Sequence, residues 1–305
     1  MRRLVRWLAA ALGVLAVVLV AGAGIVYGLS ERRLRRTYPV PPDRLALADG
    51  AAPADAATLA RGAHLVTAVT TCVLCHGEDL GGRIYADMGP MGLVAGPNLT
   101  RGRGGLGATF TRADWVHAIR YGVRRDGTSL VVMPSEVYAH VSDPDLAAIV
   151  AFLDRLPPVD REVPPTRFGP VGRALLTAGK LNILVAPKTP RPASRPYVEP
   201  GPTVAYGRYL ADISGCHGCH GYGLSGGRVA GPPDLPPASN LTPTGRSAAW
   251  SEAEFVRAMR TGRRPDGTTI DEFMPWRILG RMTDDELHAL RLYLASVPPK
   301  PSGNK

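Results

Sequence analysis

All four cysteines of the 305-residue chain fall in two short motifs, Cys72-Val73-Leu74-Cys75-His76 and Cys216-His217-Gly218-Cys219-His220. Two thiols three residues apart can each add to one vinyl group of a haem. A histidine directly after the second thiol then meets the iron from its proximal face. The same residue types also suit zinc half-sites, thioredoxin-like redox pairs or disulfides. Two matches that use every cysteine, each followed by glycine, favour covalent haem.

The surroundings of the motifs repeat as well. Cys72 maps onto Cys216 and His76 onto His220 at an offset of 144, and Asn98-Leu99-Thr100 onto Asn240-Leu241-Thr242 at 142. Gly122, Asp126 and Gly127 map onto Gly262, Asp266 and Gly267 at 140, and Met133-Pro134 onto Met274-Pro275 at 141. So small a drift implies two tandem copies of one domain, at 58–160 and 203–300.

Each copy is expected to place a helix before the motif (58–70 and 203–213), one in the middle (112–121 and 252–261) and one at the end (143–154 and 284–296). Ser251 with Glu254 and Thr283 with Glu286 are spaced as capping boxes; Thr111/Asp114 and Ser142/Asp145 are shorter-armed counterparts. Gly122 and Gly262 sit where a helix ends on a left-handed residue.

The repeat also sorts candidates for a sixth iron ligand. His64, His117, His140 and His288 find no histidine in the other copy, and His217 lies inside a motif. Met259 and Met282 align with Ile119 and Val141, which suits core packing. Met88 and Met91 follow His76 by only 12 and 15 residues, where the second copy offers prolines. Met133 and Met274 alone are shared, 57 and 54 residues after their histidines. Both are expected as distal ligands, with core methionine as the alternative.

Each half thus resembles a class I c-type cytochrome domain. The whole is similar to bacterial membrane-bound dihaem cytochromes and to cytochrome subunits of quinoprotein and flavin-linked alcohol and sugar dehydrogenases. The resemblance implies two covalently attached haem c groups. It also implies that the Pro97 carbonyl, in Gly96-Pro97-Asn98-Leu99, accepts a hydrogen bond from the proximal histidine. The second copy has Ala238-Ser239 there, so a carbonyl is still available from Ser239 but is expected to be held less rigidly. Arg83 and Arg228 follow Gly-Gly pairs and suit haem propionates or solvent about equally.

From Trp7 to Leu29 run 23 residues without a charge. As a helix they reach about 35 Å, against about 30 Å of hydrocarbon. That favours an uncleaved signal anchor, although Ala21-Gly22-Ala23 offers a cleavage site. Arginines flank the run on both sides and leave orientation open. The resemblance decides it, because haem is attached outside the bacterial cytoplasm. The expected location is therefore the inner membrane, crossed once, with the haem domains in the periplasm.

The net charge of +10 does not indicate a nucleic-acid partner. Residues 1–36 hold seven arginines against Glu31, leaving +4 over the rest with no basic stripe interleaved with aromatics. Aromatics at 6% and the lack of long Val/Ile/Thr alternation exclude a large β-sandwich. The expected architecture is all-α: an N-terminal transmembrane helix with flanks (1–36), a linker (37–57), the first domain (58–160), a Pro-rich linker (161–202), the second domain (203–300) and a tail (301–305). Nine prolines make 161–202 a stiff, extended connection, with one short helix in 171–185.

Two His/Met haems imply an electron carrier between a respiratory donor, a dehydrogenase or quinol-oxidising complex, and a terminal acceptor such as an oxidase. A second reading makes the chain an obligate subunit of a membrane dehydrogenase. A third, a dihaem enzyme such as a peroxidase, needs one open distal site, which two equivalent Met-Pro motifs argue against. A cysteine-ligated catalytic haem is excluded because no fifth cysteine exists.

Overall fold

A computed structural model describes residues 2–47, 55–192, 194–229 and 235–303 of the chain. Parts of the expected 37–57 linker and of the 301–305 tail therefore lie outside the described residues.

Helix α1 (Arg2–Leu34) is exposed along almost its whole apolar length and ends in Arg32 and Arg33, which suit the negative end of its dipole. A single turn, α2 (Arg44–Leu47), follows. The first half then runs α3 (Ala56–His64), a π turn (Leu65–Val69), α4 (Cys72–His76), strands β1 (Arg83–Asp87) and β2 (Gly92–Gly96), α5 (Arg112–Val116) with a π turn (His117–Tyr121), α6 (Ser135–Tyr138) and α7 (Asp143–Leu153). Strand β3 (Arg167–Phe168) and helix α8 (Pro170–Thr177) follow. The second half runs α9 (Val204–Ile213), α10 (Cys216–His220), α11 (Glu252–Thr261), α12 (Trp276–Leu279) and α13 (Asp284–Ser296).

The helices begin where local chemistry starts them. Thr111, Ser251 and Thr283 each close a complete capping box, and Ser142 accepts from the Asp145 N–H. Gly122 and Gly262 end the middle helices at φ 66° and 67°.

The all-α expectation needs correction. Strands β1, β2 and β3 form an antiparallel sheet in that order, with Arg83 opposite Gly96 and Leu93 opposite Arg167. The turn between β1 and β2 is tight, with Met88 N–H donating to Gly92 O at 2.9 Å. The third strand comes from beyond residue 160, so no local pattern announces it.

Within 161–202 the expected short helix is present as α8, and the segment packs on the rest of the chain instead of standing free as an extended connection. Helix α8 packs against the end of α1: Arg173 reaches Ser30 Oγ (2.8 Å) and Glu31 (3.0 Å) and lies over the Tyr27 ring. Further along, Val185 and Ala186 N–H both donate to Ser129 Oγ at 2.9 Å, tying the segment to the first half.

In each half the first and last helices cross at a glycine. A Cβ on Gly62 would lie 2.1 Å from Ala148 O, and one on Gly207 would lie 1.9 Å from Ala289 O. Cys72 follows Gly62 by ten positions, but Cys216 follows Gly207 by nine. The extra residue lies in the stretch that holds the π turn Leu65–Val69. Gly207→Ala must push α13 away along its backbone. It is expected to cost about 3 kcal/mol, the upper end of ordinary overpacking, because the obstacle is a carbonyl and not a movable side chain. Denaturant unfolding would measure this; an unchanged midpoint would contradict the close crossing.

The halves share one hydrophobic core, in which Leu65, Val69 and Tyr138 join Tyr209, Ile213 and Leu279. A buried polar network threads it. Asp145 accepts from Arg61 Nε (2.9 Å) of its own half and from Tyr209 OH (2.6 Å) of the other. Glu286 accepts from Tyr206 OH (3.1 Å) of its own half and meets His64 Nε2 (2.6 Å) of the other. Counted from the crossing glycines, Arg61 corresponds to Tyr206 and His64 to Tyr209. The network is therefore two-fold in pattern though not in residue type, and Arg61 Nη1 closes it on Tyr206 OH at 3.0 Å.

Candidate haem sites

Both C-x-x-C-H motifs form one short helix each, entered through a left-handed residue: Thr71 at φ 53° before α4 and Gly215 at φ 79° before α10. None of the four cysteines is in a disulfide. Burial pushes the Cys75 and Cys216 thiols up to about 11, the opposite of the lowered values that nucleophilic or redox thiols require. Among the described residues, no three His, Cys, Asp or Glu side chains gather as a metal cage.

The histidines are aimed. His76 Nδ1 lies 2.9 Å from Pro97 O, and His220 Nδ1 lies 2.8 Å from Ser239 O. A carbonyl only accepts, so Nδ1 carries the proton and donates, and in a neutral ring Nε2 keeps its lone pair for a metal. Burial lowers the pKa of His76 and outweighs the Pro97 bond, which favours that neutral form. The Ala238-Ser239 variation thus changes the residue that carries the carbonyl but not the bond itself.

The Asn-Leu-Thr motif explains how that carbonyl is held. Asn98 Oδ1 accepts from Thr100 N–H (2.9 Å) and Oγ1 (2.8 Å), while Nδ2 donates to Val159 O (2.7 Å). Asn240 Oδ1 accepts from Thr242 at the same two distances, and Nδ2 donates to Lys300 O (2.8 Å). Leu99 and Leu241 N–H donate to Leu80 and Leu224 O, two non-glycine residues in the left-handed region. Each loop is a buckle fastening the carbonyl of residue 97 or 239 behind its histidine.

Met133 and Met274 are half-buried against the core, each directly before a proline that starts α6 or α12. Their settings differ. Val132, before Met133, sits at φ 67°, a strained position for a β-branched residue, and donates its N–H to Ile183 O at 3.1 Å. Met274 instead follows Asp271, whose carbonyl accepts its N–H at 3.1 Å. Met259 and Met282 are buried among apolar side chains, and Met88 is exposed at the sheet's turn.

Arg83 begins β1 and is exposed, with a weak 3.5 Å contact to Ile84 O; it lies within electrostatic reach of Cys75. Arg228 is also exposed. The sequence reading missed Trp276, two residues after Met274. Its Nε1–H is buried with no acceptor among the described residues, whereas the corresponding Ser135 donates to Ala118 O at 2.8 Å. A donor without an acceptor beside a Met-Pro turn fits a carboxylate-bearing group such as haem. Because the tryptophan occurs in one copy only, comparing the copies could not find it.

Each Met-Pro segment approaches the motif of the other half. Val137, next to the first Met-Pro turn, lies 3.6 Å from the ideal Cβ position of Gly215, just before Cys216. Arg281, at the end of the second Met-Pro segment, pairs with Glu78 (2.7 Å), just after His76. The Tyr85 hydroxyl lies within electrostatic reach of both Cys75 and Cys219.

A family model described as cytochrome c oxidase, cbb3-type, subunit III matches residues 57–153. The chain is 29% identical over 279 residues to the cytochrome c subunit of a quinone alcohol dehydrogenase from Gluconacetobacter polyoxogenes, covering 81% of this chain and 58% of that one. It is 31% identical over 291 residues to a gluconate 2-dehydrogenase cytochrome c subunit from Pantoea cypripedii, covering 84% and 62%. A diheme cytochrome c-type protein from Cereibacter sphaeroides is 28% identical over 316 residues, covering 93% and 96%. The chain thus spans about six-tenths of the length of these dehydrogenase subunits and nearly all of the diheme protein. It resembles c-type cytochromes and carries covalently bound haem c.

Proposed function

We propose that the chain is a membrane-anchored, periplasmic dihaem electron carrier built from two tandem class I cytochrome c domains. It takes electrons from a dehydrogenase, as the names of its relatives suggest, or from a quinol-oxidising complex, and passes them towards an oxidase. The observation that carries this reading is the duplicated histidine–carbonyl pair, 2.9 and 2.8 Å long, each behind a C-x-x-C-H helix.

When bound, each haem supplies a one-electron couple between ferric and ferrous iron. Everything else falls to the chain. Cys72 and Cys75, and Cys216 and Cys219, would hold the haem covalently. His76 and His220, their rings oriented by Pro97 O and Ser239 O, and Met133 and Met274 would ligate the iron. Thioether ligation would raise the potential. Arg83, Arg228 and the buried Trp276 Nε1–H would meet propionates. No side chain has to move a proton. The facing Met-Pro turns and motif helices keep both sites beside one interface, which favours transfer between them.

The reading is tested by an alkaline pyridine haem assay with a potentiometric titration of the detergent-solubilised chain. Two covalent haems per chain and two one-electron waves are expected. One haem per chain, or a single two-electron step, would contradict it.

A further inference from the structure

The end of α1 and the end of α8 enclose a basin that electron transfer does not use. Its cavity of about 680 Å³ is lined by Leu29, Arg32, Arg33, Arg35, Arg36 and Thr177, among others. Four arginines in five positions form its wall. Glu31, on the same helix, already holds Arg35 (2.8 Å) and Arg173 (3.0 Å). Arg33 bonds the Leu176 carbonyl and Arg36 stacks on Tyr38. Neither Arg32 nor Arg36 meets an acid among the described residues, so the basin keeps a positive charge.

Depth identifies what it meets. Leu29 closes the apolar run, with uncharged Ser30 before Glu31. With α1 spanning the bilayer, Arg32–Arg36 lie about 5–10 Å beyond the run at 1.5 Å per residue, which is the headgroup layer. Ile25, Tyr27 and Leu29 are all exposed on the same stretch of α1 and offer a surface for acyl chains. Packing of α8 on α1 gives the basin its second wall, so it is more than a row of arginines on a bare helix.

We propose that this basin binds the phosphate headgroup of an anionic phospholipid, with Arg32 and Arg36 as the principal phosphate partners. A lipid is favoured over free phosphate because Leu29 continues the basin into the apolar surface of α1. The bound lipid would seat the α1–α8 bracket, and with it the haem-bearing part, at a set height on the membrane.

The test uses the full haem-loaded chain from vesicles of equal phosphatidylglycerol and phosphatidylcholine, with retained lipids counted by native mass spectrometry. One phosphatidylglycerol per chain should persist. In Arg32→Gln/Arg36→Gln that preference should fall roughly tenfold or more, at about one Debye-screened interaction lost per arginine. Arg3→Gln/Arg6→Gln, at the other end of α1, should keep it. An unaltered haem spectrum in both variants shows that folding is intact. Equal retention of the two lipids by the unmodified chain, or equal loss in both variants, would overturn the site. Displacement of the lipid by excess inorganic phosphate would overturn the lipid assignment in favour of a free anion.

Discussion

Met133→Ala and Met274→Ala will each open about half of the haem to carbon monoxide while leaving both haems covalently attached. On the proposed ligation each thioether closes one iron, and the substitution leaves the four cysteines that hold the rings untouched. Loss of the bond should also lower one of the two potentials, since methionine ligation favours the ferrous state. If both methionines merely fill the core, removal would cost about 2–5 kcal/mol of stability and leave ligand binding unchanged. The spectrum therefore separates the two roles. The variants should also differ. Met133 follows a strained Val132 strapped to Ile183, whereas Met274 is held within its own turn. The first loop is more tightly determined, so water or a foreign ligand should enter more slowly at Met133→Ala.

Asp145→Ala is expected to destabilise the chain by about 3 kcal/mol and to uncouple the halves. Asp145 is 2% exposed and receives Arg61 and Tyr209 from opposite halves. Removing one member of a buried pair leaves the other uncompensated, at about 3–5 kcal/mol. The lower figure applies because Arg61 keeps 22% exposure and some water. Guanidinium unfolding followed at each haem by its redox-difference spectrum should resolve into two transitions. One transition with an unchanged midpoint would mean that the network is ornamental and the apolar core alone joins the halves.

Much of the site was legible because both copies keep the same chemistry at the same spacing. The C-x-x-C-H motifs, the Asn-Leu-Thr loops and the capping residues are local patterns, and the structure places each capping residue at the start of its expected helix. The carbonyl behind each histidine was also anticipated, down to Ser239 replacing Pro97. What stayed hidden was nonlocal. Strand β3 pairs with β2 across more than seventy residues, and β1 and β2 are only five residues each, too short for an alternating pattern to stand out. The prolines of 161–202 suggested stiffness but could not show that Ile183–Ala186 straps the first methionine loop.

The network between the halves was hidden for a different reason. Aligned from the cysteines, His64 falls on Arg208 and seems unshared. The π turn before Cys72 shifts the register by one, and His64 then falls on Tyr209. Arg61 and Tyr206, or His64 and Tyr209, share no chemistry except the ability to donate to a buried carboxylate. A comparison by residue type discards such pairs, and only the geometry restores them.

The central claim is that both irons are closed by protein ligands and exchange electrons only. Carbon monoxide added to the dithionite-reduced, detergent-solubilised chain tests it most directly in the visible spectrum. No change is predicted, with Met133 and Met274 both in place. A shift in about half of the haem would show one open iron, contradict the carrier and point to substrate chemistry at that site.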